Sequence, residues 1–397
     1  MRPRTEKLLM RLVFIAAIPG VLALGYFWYG NRRIADLKDE CQTALNDQRW
    51  EDLERASLSW YEWQPESAQP LLLAAQAAQQ RGRLLEASVY LFQLPDNDLE
   101  SIPGLMNLST IQLELLDPLA AETTWNRILQ LDPANAEAHQ QLILYYGMSR
   151  QHEKIISEAR RAIAAGSDGP STYVFLFGAD WMTFTNGGDL NNAWLERFPG
   201  NETFLVARGF HFTRSMAMRE EFQQRNENGV NVLEATMIEL VKQFNHNKEL
   251  LAYHLELSTN RGDMENTLTL LGQAGQDSLE DSRFWRFKGW VHLQREELDE
   301  AIEAYQHCLK LHPFDGVAHQ QLAMVYRRQE KLDQVAHHQQ LSVVAQDILR
   351  IALVMPNVNE TPPDLLEKMA EFAELAGENQ VAENVKRLKN AESPSGE

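Results

Sequence analysis

Apolar residues follow two different patterns along this chain. From Leu12 to Gly30 they run as LVFIAAIPGVLALGYFWYG, 19 residues without a charge. Such a run is about long enough to cross a hydrocarbon layer of roughly 30 Å as a helix. It closes on Tyr26, Phe27, Trp28 and Tyr29, amphipathic rings suited to a headgroup layer, and Arg32 and Arg33 follow at once. Beyond residue 33 the apolar positions return at helical spacing, and Pro, Gly and Asn cut the pattern at the intervals of helical hairpins.

Two segments set the period. Residues 138–142 and 318–322 both read AHQQL, each followed by a tyrosine (Tyr146, Tyr326) and preceded by a proline (Pro133, Pro313) in the same register. The stretch from Phe284 to Pro313 resembles the tetratricopeptide repeat over its full span. In that family's 34-residue pattern Trp285 takes position 4, Gly289 position 8, Ala301 position 20, Tyr305 position 24, Cys308 position 27 and Pro313 position 32. Lys288 and Glu296 depart from it, where an apolar residue and a turn glycine are usual.

Stepping by 34 places units at Ile34, Ala68, Ile102 and Ala136 and again at Lys248, Ser282 and Gly316, with a last unit at Pro363. Position 8 stays mostly small (Cys41, Ala75, Ser109, Ala323, Ala370), as does position 20 (Ala87, Ala121, Ala301, Val335, Ala382). Small residues there let neighbouring helices approach, because a single amphipathic pair cannot bury its apolar face alone.

The resulting expectation is an all-α chain, an α-solenoid of tetratricopeptide-like helical hairpins preceded by a single transmembrane helix. It comprises a basic tail (1–11), the span (12–30), four units over 34–169, two divergent helical pairs over 170–247, three units over 248–349, a linker over 350–362 and a capping unit over 363–396. An inserted domain at 170–247 is the alternative. Gln223 to Asn231 is polar enough to be an extra loop, and Glu392 to Glu397 should fray.

Charge narrows the class of partner. The chain has 37 Lys+Arg against 56 Asp+Glu, a formal −19; residues 1–33 hold six basic residues and one acidic one, so the body carries −24. This balance argues against nucleic acid. Basic residues at 2, 4, 7 and 11 place the N-terminus in the cytoplasm and the repeat body on the far side of a cell membrane. A cleaved signal peptide, which would release an exported soluble module, is the rival reading. The two cysteines, Cys41 and Cys308, are too far apart in sequence for a CxxC zinc or redox motif.

No catalytic, phosphate-binding or metal-binding motif is present, so neither an enzyme nor a cofactor is expected; an enzyme with its site in 170–247 is a remote alternative. His319, His337 and His338 read as a solvated or packing cluster rather than as metal ligands. Asn107, Asn201 and Asn359 head N-x-S/T triplets. The tetratricopeptide resemblance implies binding of a protein or peptide along the first helix of each pair. There Arg283, Arg286, Trp290, Gln320, Met324 and Arg327 form the candidate groove, a basic aromatic stripe in an acidic body, with Val317 beside it. The alternative is that the arginines pair with neighbours such as Glu249 and Glu256 and solubilise the groove. The lysine and asparagine clamp of chaperone-binding members is missing. The layout is similar to that of bacterial inner-membrane accessory proteins of the translocon or of envelope assembly.

Overall fold

The structure is a computed structural model that describes residues 3–216, 232–355, 357–358 and 360–392, without the side chains of 3–24, 214–216, 232–234 and 392. Among the described residues there are twenty α-helices and no strand. They fall into two compact units, residues 1–133 and 134–397, which divides the expected 34–169 run between its third and fourth hairpins.

The first unit holds α1 (Pro3–Asn46), α2 (Trp50–Trp63), α3 (Gln69–Gln80), α4 (Leu84–Phe92), α5 (Ser101–Glu114) and α6 (Pro118–Leu131), each packed on the next. Leu37, Cys41, Ala44, Leu53 and Trp60 make the interior of its first hairpin, with Ala77 of α3 packed against them. Among the described residues no helix is long and apolar enough to cross a membrane. The span expected at 12–30 belongs to α1, but its side chains up to residue 24, and the basic tail's, lie outside those described.

The second unit opens with α7 (Ala136–Met148), α8 (His152–Ala164), α9 (Pro170–Gly178), α10 (Gly187–Arg197), α11 (Glu202–Met216) and α12 (Val232–Gln243). It continues through α13 (Lys248–Arg261), α14 (Met264–Gln273), a 3-10 turn (Gln276–Glu280), α15 (Ser282–Gln294), α16 (Leu298–Leu311), α17 (Gly316–Arg328), α18 (Leu332–Ala352), α19 (Pro363–Leu375) and α20 (Asn379–Glu392). The loop expected at 223–231 and the fraying tail beyond residue 392 lie outside the described residues.

The 34-residue step is visible in the backbone. Second helices begin at residues 50, 84, 118 and 152, and again at 264, 298 and 332. The turn inside each of these hairpins holds one left-handed residue at the same place: Gln48, Gly82, Leu116 and Arg150, then Gly262, Glu296 and Glu330. Glu296 thus adopts φ 62° where glycine would do so without strain. The small positions are closed by neighbours, since a Cβ on Gly289 would come within 2.7 Å of the Tyr305 ring.

Between these regular runs the segment 170–247 differs from the two hairpins expected there. Helix α10 pairs with α11, whereas α9 packs on α7 and α8 on one side and on α19 and α20 on the other. Thr172 to Ala179 are all buried, as befits a helix apolar on every face. Phe177 stacks on Phe314 at 4.0 Å and meets Phe372 at 5.8 Å. Arg387 of α20 reaches Asp168 at 3.2 Å, and Arg160 of α8 reaches Glu378 at 3.3 Å. The second unit therefore curls until its last hairpin touches its early helices, with α9 filling the space between.

Candidate functional site

Helix starts bring the charged residues of the second unit together. Asp281 caps α15 and accepts from the Arg283 backbone N–H at 3.0 Å; Asp315 caps α17 and accepts from Ala318 N–H at 2.9 Å. Both carboxylates are 1% exposed, so each needs partners in place of water. Two arginines of α15 supply them. Arg283 Nη2 lies 2.6 Å from Asp281 Oδ2, and its guanidinium also holds both oxygens of Glu249 at 2.8 Å. Arg286 Nη1 sits 2.6 Å from Asp315 and 3.3 Å from Asp180.

Burial raises the Asp281 carboxyl, but Arg283 and His152 outweigh it and hold it at about 2. The same contest leaves Asp180 and Glu249 below the ordinary carboxylate range, with Arg286 and Arg283 as the chief opponents of burial. His152 Nε2 lies 2.8 Å from Asp180 Oδ1, and Arg150, itself at φ 54°, donates to the Met182 carbonyl at 2.7 Å and covers the Phe210 ring. His312 abuts this cluster and is driven down to about 4, chiefly by burial. The network ties α8, the α9–α10 turn, α13, α15 and α17 into one body.

Above it opens a cleft of about 330 Å³. Phe177, Trp181, Val317, Ile348, Leu349 and Phe372 give it an apolar wall, while Arg286, Asp180, Asp315 and Gln320 line the polar side. Such a mixture suits an apolar side chain carried on a polar backbone.

The candidate stripe is split by this arrangement. Arg283 and Arg286 are 4% and 9% exposed and committed to carboxylates, because α13 and the α9–α10 turn place Glu249 and Asp180 against them. Only Arg286 and Gln320 of the six reach the cleft, joined there by Val317; Trp290 is half-buried, and Met324 and Arg327 are exposed beyond its lining. The basic aromatic pocket is thus not assembled as a free surface. Sequence reading missed Phe177, Asp180 and Trp181, whose signal was the unbroken apolar run Tyr173–Gly178 followed by a charged turn.

Chemistry in the cluster is quiet. Cys308 is buried, and burial followed by the Asp315 charge pushes its thiol well above the ordinary value, the reverse of nucleophile activation. Among the described residues no group of three His, Cys, Asp or Glu could hold a metal ion. His319 instead meets His338, Nδ1 to Nδ1 at 2.9 Å, and its Nε2 lies 3.0 Å from the Pro313 carbonyl. His139 contacts Glu158 at 2.5 Å. Asn107 exchanges hydrogen bonds with Gln79, Asn201 caps α11 toward Phe204 N–H, and Asn359 lies outside the described residues.

The 34-residue register, the recurring left-handed turn and the closed small positions define a tetratricopeptide-like helical repeat fold. No protein-family model matches the chain, and no curated protein does. Solved structures similar to it include a tetratricopeptide repeat protein from Parabacteroides merdae, at 11% identity over 74% of this chain and 99% of that one, with a TM-score of 0.31. A chain of the APC/C hetero-tetramer Cut9-Hcn1 aligns at 11% identity over 94% and 90%, with a TM-score of 0.34. The MamA protein aligns at 17% over 48% and 97%, with a TM-score of 0.30.

Proposed function

We propose that this protein is a non-enzymatic scaffold, held at a cell membrane by residues 12–30, that binds a protein or peptide partner in the cleft of its second unit. The cleft is the observation that supports this reading: aromatic and aliphatic walls stand open beside Asp180 and Asp315, both ion-paired with Arg286. An apolar anchor residue can enter without stripping a lone charge of water. Gln320, Met324 and Arg327 extend the contact along α17. Tethering would raise the effective concentration of cleft and partner, so a modest affinity suffices. With the basic N-terminus in the cytoplasm, the repeat body from residue 34 onward faces the other side.

The test is a crosslinked pull-down from membranes comparing the native chain with Val317→Glu and Gln320→Glu, both exposed positions. Loss of one partner with an unchanged melting temperature supports the cleft; an identical partner set contradicts it. A carbonate wash checks the anchor: the chain should stay in the pellet, and release to the supernatant would favour the exported soluble module.

A further inference from the structure

Helix α1 carries its exposed aromatics on every side. Tyr26, Phe27, Trp28 and Tyr29 are 69%, 67%, 64% and 56% exposed, and consecutive helical residues are turned by about 100°, so the four rings encircle the axis. A protein partner covers one face of a helix; a layer that surrounds the helix satisfies all four. The apolar run 12–25 precedes them in the same helix, and Arg32, whose guanidinium lies 5.7 Å from the Trp28 ring, follows. Helix α2 then runs antiparallel to α1 and ends against this collar. The Trp63 ring lies 5.9 Å from both Tyr26 and Tyr29, and the place of a Cβ on Gly30 is 3.5 Å from it.

We infer that the end of α2 and the turn after it, Trp63 to Glu66, form a second contact with the lipid headgroup layer, at the depth of the aromatic collar. This rests on the anchor proposed above and deepens it. The helix that spans the bilayer continues unbroken into the first hairpin, and Trp63 brings the hairpin's other strand of chain back to the same level. The first unit is then seated on the bilayer by two helices rather than hung from one.

The test uses the full chain in phosphatidylcholine vesicles, with the buried Cys41 and Cys308 replaced by alanine and single spin labels at Trp63→Cys, Glu66→Cys, Val21→Cys and Glu51→Cys. Glu51 lies in the first turn of α2, about 18 Å along the helix from Trp63, and serves as the aqueous reference. Accessibility to a water-soluble nickel chelate should be lost at 21, markedly reduced at 63 and 66, and full at 51. Positions 63 and 66 reading like 51 while 21 is protected would overturn the contact and leave the anchor standing. All four reading alike would overturn both. Glu66 is exposed, so its label reports even if the Trp63 variant fails to fold.

Discussion

Arg283 shows how a single side chain changes meaning between sequence and structure. By position it belongs to a binding stripe; in the fold it is the shared partner of Asp281 and Glu249. Removing one member of a buried charge cluster leaves the others uncompensated, at a cost of about 3–5 kcal/mol. Arg283→Ala should therefore lower the denaturation midpoint sharply, whereas Arg327→Ala, at an exposed position, should stay within about 0.5 kcal/mol. Equal effects in a urea titration would show that the cluster does not hold the fold. At the left-handed turns, Gly82→Ala puts a Cβ where φ is 70° and should cost roughly 1 kcal/mol by the same measurement.

Buried and half-buried histidines fix the direction of the pH dependence. His211, His312 and His338 are held at about 4 against an ordinary 6.5, chiefly by burial. The unfolded chain binds these protons first, so stability is complete above pH 6.5 and falls as pH drops toward 4. Asp281, at about 2 against 3.8, carries the fall further, because its contribution is lost as pH drops from its unfolded value through its folded one. Thermal melts between pH 7 and pH 3 should decline throughout; a flat profile would contradict the assigned burial.

Among the elements, α9 departs most from repeat logic. The hairpins were legible because each partner follows within a turn's length, so spacing alone pairs them: Ala301 and Gly289 needed small side chains in a known register. The partners of α9 lie near Phe314, Phe372 and Arg387, far along the chain, and periodicity carries no information about them. Asp180 and the cleft's Trp181 follow directly after α9, which is why half of the candidate site was invisible while Arg286 and Gln320 were not. If α9 clamps the last hairpin, Phe177→Ala should remove about 3–5 kcal/mol of packing. Hydrogen exchange would then quicken in α19 and α20 together with α9, and α3 to α6 of the other unit would keep their protection. Exchange that quickens in α9 alone would mean the hairpin docks independently.

For the whole molecule, the hairpin array was readable from spacing alone. The division after Pro133 and the closure of the second unit were not, since both depend on contacts that local pattern does not encode. Partner binding is assigned to one place, the proposed cleft bounded by the α9–α10 turn, α17, α18 and α19. Site-specific photocrosslinking tests it directly: a benzophenone amino acid is placed at Val317 in intact membranes, with Leu332, an exposed residue at the start of α18 outside the cleft lining, as control. A discrete adduct from Val317 that Gln320→Glu abolishes, and none from Leu332, is the expected result. No adduct from Val317, or the same adduct from both positions, would contradict it.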